Sequence, residues 1–206
     1  TVRAQYLARG QNEPSYLTEA GNPDSHTETY VAIKAEIDNW RWSGVPFYLR
    51  TGKRLRSRMT EIVVTFKEPV HSVFGQLSSP IQSNKLVIRL QPDEGLQLHI
   101  MTKDPGPGGF RLRPTALDMT FAGTHGPEWR MPDAYERLLM DVVRGDQTLF
   151  MRGDEVEAAW GWIDPIITAW EQSGALPDQY ESGSDGPIAA LELMARDGRR
   201  WREVVV

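Results

Sequence analysis

The sequence predicts an α+β fold: one large, mostly antiparallel sheet with helices packed on one of its faces. From Tyr30 to Phe121, apolar and polar side chains alternate with the two-residue period of half-buried strands. Consecutive runs are joined by turn-rich stretches, which favours antiparallel neighbours. After His125 the period changes to the roughly 3.6 residues of amphipathic helices. Strands grouped first and helices second is the order of an α+β domain, not of βαβ units.

Each element follows from its own pattern. The chain opens directly in a strand-like alternation, and residues 10–28, rich in Gly, Pro, Asn, Asp and Ser, read as a loop. Tyr30 to Asn39 alternates, with Val31, Ile33, Ala35 and Ile37 sharing a face. Gly44 leads into an extended run over 45–50, and Thr60 to Phe66 places Ile62, Val64 and Phe66 together. Residues 68–83 read as a loop whose Val73 and Phe74 pack onto something. Lys85 to Leu90 alternates, Pro92-Asp93-Glu94-Gly95 makes a hairpin turn, and Leu96, Leu98 and Ile100 return on one face. Residues 104–109 break the chain before a last strand from Phe110 to Phe121. Pro132-Asp133 opens a helix that Gly145 closes. A second begins near Asp154-Glu155 and is expected to kink at Pro165, and Gly186-Pro187 starts a third that Gly198 closes.

Composition narrows the function. At 206 residues the chain suffices for one core, so 1–206 reads as a single domain. A net charge of −5 argues against a nucleic-acid binder with a basic surface. The absence of cysteine excludes disulfides and thiolate chemistry, and no apolar run approaches the roughly 20 residues of a membrane span. A start without methionine, already in a strand pattern, looks like a domain cut from a longer protein.

The stretch richest in chemistry is Val45 to Leu55. An extended segment runs up to Arg50, Gly52 is then expected to let the backbone turn, and Lys53, Arg54, Arg56 and Arg58 follow. Cations delivered from a bend suit a phosphate or another compact anion. No catalytic residue stands out. His26, His71, His99 and His125 are each isolated, no metal-ligand spacing is present, and Gly106-Pro107-Gly108-Gly109 feeds no helix. Asp133, Glu136, Asp154, Glu155 and Glu157 sit near helix starts, where the helix dipole accounts for them.

Several blocks in order extend this reading. They are Asp38 to Leu55, Ile88 to Gly95, Pro132 to Leu139, Arg152 to Trp160, and the closing Tyr180 to Trp201. Together they resemble the C-terminal domain of glucose-6-phosphate dehydrogenase, bacterial type, with Ala4 where that family usually has glycine. The resemblance implies oxidation of glucose 6-phosphate to 6-phosphogluconolactone with NADP, in the oxidative pentose phosphate pathway. It also implies an N-terminal Rossmann domain, absent from this chain, that binds most of the NADP and carries the base.

By the same resemblance Lys53 contacts the sugar phosphate, Arg58 supplies a second cation and Gln91 a weaker sugar contact. Arg54 and Arg56 are expected to be ordinary surface charges. A homodimer through the sheet and a cytoplasmic location are implied as well, and the chain by itself is expected not to transfer hydride. The structural NADP of some members is not expected: Arg50, Arg89 and Asp118 fit it, but Met59, Val63, Gln97 and His99 stand where it needs cations or a tyrosine. A non-catalytic sugar-phosphate-binding module and a purely structural dimerisation domain remain the alternatives.

Overall fold

The computed structural model describes residues 1–68, 82–107, 111–120 and 134–203. In chain order the elements are β1 (Val2–Leu7), α1 (Tyr16–Ala20), β2 (Tyr30–Glu36), β3 (Pro46–Gly52), β4 (Thr60–Thr65) and β5 (Lys85–Gln91). They continue with β6 (Gly95–Lys103), β7 (Leu112–Thr120), α2 (Ala134–Arg144), α3 (Gly153–Ser173), β8 (Asp178–Glu181) and α4 (Ile188–Ala195). The α+β class and the mostly antiparallel pairing are as the sequence implies. The described strands form two four-stranded sheets, and the contacts divide the chain into two compact units. One comprises Thr1–Ser57 with Gln147–Val206, the other Arg58–Asp146.

The first unit holds the sheet β3-β2-β1-β8, in which only β1 and β8 run parallel. Its core lies on the face carrying Ala4, Tyr6, Tyr30, Ala32 and Tyr180, against Ala190 and Leu193 of α4. Alanines at 4 and 32 leave room for that helix to approach the strands. The ladder ends at Gly52, after which the backbone bonds elsewhere: Lys53 donates its N–H to the Thr29 carbonyl (2.8 Å) and Arg56 donates to Ser184 (2.9 Å). That departure separates β3 from β4.

The reading of Gly52 as a bend needs correction. Gly52 stays in β3, paired with Tyr30, and its lack of a side chain serves packing. A Cβ there would lie 2.6 Å from the Tyr30 ring, and one at Gly186 would also lie 2.6 Å from it. Tyr30 is buried between these two glycines, and burial pushes its phenol up.

Two elements fall outside the sequence expectation. Within the 10–28 loop, Ser15 caps α1 by accepting the Thr18 N–H, and left-handed Gly21 ends it. Strand β8 is four residues long and only Tyr180 in it is buried, too short for an alternation to show. Helix α3 carries Pro165 inside a continuous 21-residue span. The second unit is the meander β4-β5-β6-β7 with α2, which ends before left-handed Gly145 as expected. The 69–81 segment with Val73 and Phe74, the ends of the last strand at Phe110 and Phe121, and Pro132-Asp133 lie outside the described residues.

The C-terminal segment is fastened across β2 and β3. Asp197 accepts a hydrogen bond from the Tyr48 hydroxyl and pairs with Lys34 at 2.9 Å. Trp201 donates its indole N–H to the Ala190 carbonyl (2.9 Å), and the Arg50 guanidinium lies 4.7 Å above its ring. The Tyr48 hydrogen bond, then Lys34, hold the Asp197 carboxyl below its usual range, while the Asp197 hydrogen bond raises Lys34. Tyr48 is raised by burial first.

Two outcomes follow. A depressed carboxylate contributes its stability above its unfolded pKa, about 3.9, and loses it as pH falls through the folded value. A raised lysine contributes below about 10.4 and loses it as pH rises through its folded value. Asp197→Asn therefore lowers the melting temperature from about pH 5 to about pH 9, and the gap to the parent narrows as the pH falls below the unfolded carboxyl value of about 3.9, as calorimetric melts across pH will read. Gly186→Ala must press on Tyr30 from φ +111° and costs about 2–4 kcal/mol, whereas Gly198→Ala, with φ +65° and open space around it, costs about 1 kcal/mol. Urea unfolding of the two variants gives the comparison.

Candidate anion-binding site

Residues 53–56 form a short loop clamped from two sides. The Lys53 N–H is held by Thr29 in the segment entering β2, and its carbonyl accepts the Tyr180 hydroxyl at 2.7 Å. The Arg54 carbonyl accepts the Gly183 N–H (2.8 Å), so the loop rests on the turn that follows β8. The bend itself is at Arg54, whose φ of 49° is left-handed.

The four cations have different fates. Arg54 is not an ordinary surface charge: its guanidinium pairs with Glu19 of α1 and lies 5.0 Å above the Tyr6 ring. Glu19 uses its other oxygen to accept the Tyr6 hydroxyl. Burial, with that hydrogen bond reinforcing it, pushes the Tyr6 phenol up to about 12, so it remains a donor at neutral pH. Arg56 pairs with Asp185 at 3.0 Å. Among the described residues neither Lys53 nor Arg58 has an acidic partner.

Lys53 lines a cleft of about 680 Å³ with Tyr6, Tyr16, Glu19, Thr27, Glu28, Thr29, Tyr30, Val31, Thr51, Gly52 and Arg54. Its ammonium is exposed, while the backbone that carries it is fixed at both ends. A free cation on a fixed stem, beside tyrosine and threonine hydroxyls, can hold an anionic group and hydrogen-bond neutral oxygens nearby.

The other predicted contacts belong to the second unit. Gln91 is the last residue of β5 and pairs with Thr60, the first of β4, while Arg58 lies two residues before Thr60. Both are exposed, at one end of the β4–β5 ladder, where a cis Gln91–Pro92 bond and left-handed Asp93 make the turn. Asp118 accepts a hydrogen bond from Gln97 at 2.5 Å.

Among the described residues no three histidine or carboxylate side chains converge as a metal site. His99 sits in β6 as expected, with its Nε2 buried and unbonded, and His71 and His125 lie outside the described residues. Thr29, Glu19 and Tyr180, which shape the loop around Lys53, carry no motif. Their distances along the chain are long and irregular, so no spacing links them to residue 53.

The comparisons with known proteins are uniform. The family described as glucose-6-phosphate dehydrogenase, C-terminal domain, matches residues 1–202. Glucose-6-phosphate 1-dehydrogenase of Rhizobium meliloti is 56% identical over 208 residues, covering 100% of this chain and 42% of that protein. The Mycolicibacterium smegmatis enzyme of the same name is 53% identical, covering 98% and 41%. A solved glucose-6-phosphate dehydrogenase in complex with its substrate glucose-6-phosphate superposes with a TM-score of 0.86 at 33% identity, covering 98% of this chain and 41% of that one. The Mycobacterium avium enzyme gives 0.79 at 34% identity, with coverage of 100% and 40%. The chain thus spans about two fifths of the length of the relatives it matches.

Proposed function

The chain belongs to the glucose-6-phosphate dehydrogenase family, matching its C-terminal domain, and on that premise we propose that its parent protein oxidises glucose 6-phosphate to the phosphogluconolactone with NADP. The observation that supports a binding role for this chain is the free ammonium of Lys53 on its cleft, with the neighbouring cations Arg54 and Arg56 neutralised. Lys53 takes the phosphate of the sugar. For Arg58, two residues before β4, and Gln91, the last residue of β5, the roles of second cationic and weaker sugar contact rest on the family resemblance alone.

Among the described residues we find no group that fits the nicotinamide cofactor of the reaction. Among the described residues no glycine-rich turn joins a strand to a helix, and the sequence sets no histidine beside an orienting acid. NADP and the base are therefore assigned to the roughly three fifths of the relatives' length that this chain does not match, a Rossmann domain in this reading. The chain by itself binds sugar phosphate weakly and transfers no hydride. A cytoplasmic location suits a chain without cysteine, and no described helix is long and apolar enough to cross a membrane.

A second role rests on the meander. Ile62, Val64, Leu86, Ile88, Leu90, Leu96, Leu98, Leu117 and Met119 share one face of β4-β5-β6-β7 by register. Of these, Ile62, Val64, Leu90, Leu96, Leu117 and Met119 are 39–57% exposed. A continuous apolar sheet face of this kind favours association, and a second copy related by a two-fold axis would offer it the same surface. We assign the homodimer contact to this face.

In the full-length protein, Lys53→Ala raises KM for glucose 6-phosphate about 10- to 100-fold, the worth of one charge-assisted hydrogen bond, and changes kcat less. An unchanged KM in steady-state assays would remove the assignment. Leu117→Glu buries a charge in the proposed contact and shifts the sedimentation coefficient to that of a monomer at micromolar concentration.

A further inference from the structure

We propose that Tyr180 is a positioning residue for sugar-phosphate binding: its buried hydroxyl fixes the Lys53 carbonyl and so sets the direction in which the ammonium leaves the loop. The inference rests on the reading of Lys53 as the phosphate contact. Tyr180 is buried on β8, far along the chain from residue 53, and its hydroxyl donates to the Lys53 carbonyl at 2.7 Å. The Thr29 hydroxyl lies 3.1 Å from the same phenol oxygen, and the Thr29 carbonyl accepts the Lys53 N–H at 2.8 Å.

A phenol has one proton to give. Donated to Lys53, the proton leaves the oxygen's lone pairs to accept the Thr29 hydroxyl. Thr29, Tyr180 and Lys53 then form a closed relay that grips both peptide groups flanking the Lys53 Cα. The next residue, Arg54, is left-handed, which a non-glycine residue adopts at a cost. Without the hydroxyl, the Lys53–Arg54 peptide loses its buried partner and is freer to rotate, and rotation there re-aims the lysine side chain. The Tyr180 ring itself is held by Tyr30 at 5.5 Å and Tyr6 at 6.4 Å, so deleting only the oxygen leaves the packing in place.

The test is made on the full-length protein with Tyr180→Phe, Lys53→Ala and the double variant, measuring KM and kcat for glucose 6-phosphate. Tyr180→Phe is expected to raise KM about fivefold, the worth of one neutral hydrogen bond, with kcat within about twofold. In the Lys53→Ala background it is expected to add nothing, because its effect passes through the ammonium. A merely structural role predicts an additive loss in the double variant, and that result overturns the inference. So does an unchanged KM in Tyr180→Phe where Lys53→Ala raises it, which leaves the site reading standing. If Lys53→Ala itself leaves KM unchanged, the site reading fails and this inference with it. Should Tyr180→Phe not fold, Thr29→Val, which removes the hydroxyl behind the relay, takes its place with an expected rise of about twofold and the same non-additivity.

Discussion

The packing of Tyr30 between two residues without side chains is the constraint on which the first unit turns. Its ring occupies the space that a Cβ at Gly52 or at Gly186 would need. Tyr30 also leans on Tyr180, 5.5 Å away at 57°, and Tyr180 in turn reaches the Lys53 carbonyl. Strand β3, the turn before α4 and the parallel strand β8 are thus fitted around one side chain. Interiors pack at nearly crystalline density, so such a side chain leaves its neighbours little freedom. The loop carrying the free cation inherits that rigidity, although its lysine side chain is in solvent.

Electrostatics then selects among the cations. Ion pairs as exposed as Arg54–Glu19 and Arg56–Asp185 each stabilise a fold by about 0–1 kcal/mol, so their effect on stability is small. Their effect on direction is larger. Each removes a competing positive group from the loop and ties it to a different neighbour, α1 in one case and the turn after β8 in the other. Among the described residues that line the cleft, what remains without a partner is a single ammonium. An isolated cation offers an anion one place to sit, and the charge-assisted bonds made there are short and about twice as strong as neutral ones.

How much of this the sequence carries depends on the range of the interaction. The strands of the meander were legible because a half-buried strand writes its own two-residue alternation, and Gly145 was legible because a left-handed helix stop favours glycine. Lys53 was legible as a cation in a basic run and by family resemblance. The division into two sheets was not, since alternation reports faces and says nothing about which strands share a ladder. The role of Gly52 was misread for a related reason. A glycine needed for a turn and one needed for a neighbour's ring look identical in sequence, and only the position of Tyr30 tells them apart. Tyr180 lay beyond reach altogether, because a four-residue strand has no period and its hydroxyl acts on a residue remote in the chain.

Helix α1 shows the same dependence at its smallest scale. Five residues cannot hold a helix in water, where nucleation is costly and isolated helices shorter than about 12 residues are marginal. The Ser15 cap helps, but the fixed points are tertiary: Tyr16 packs edge-on to Tyr6 at 6.0 Å, and Glu19 is bound by Tyr6 and Arg54 together. The dependence runs both ways. Without α1 the Arg54 guanidinium would lose its carboxylate, and without Arg54 in its left-handed bend the helix would lose one of the groups that hold it. A segment that composition marks as loop is therefore ordered by Tyr6 and Arg54 together, and the wall of the cleft forms with the bend that carries its cations.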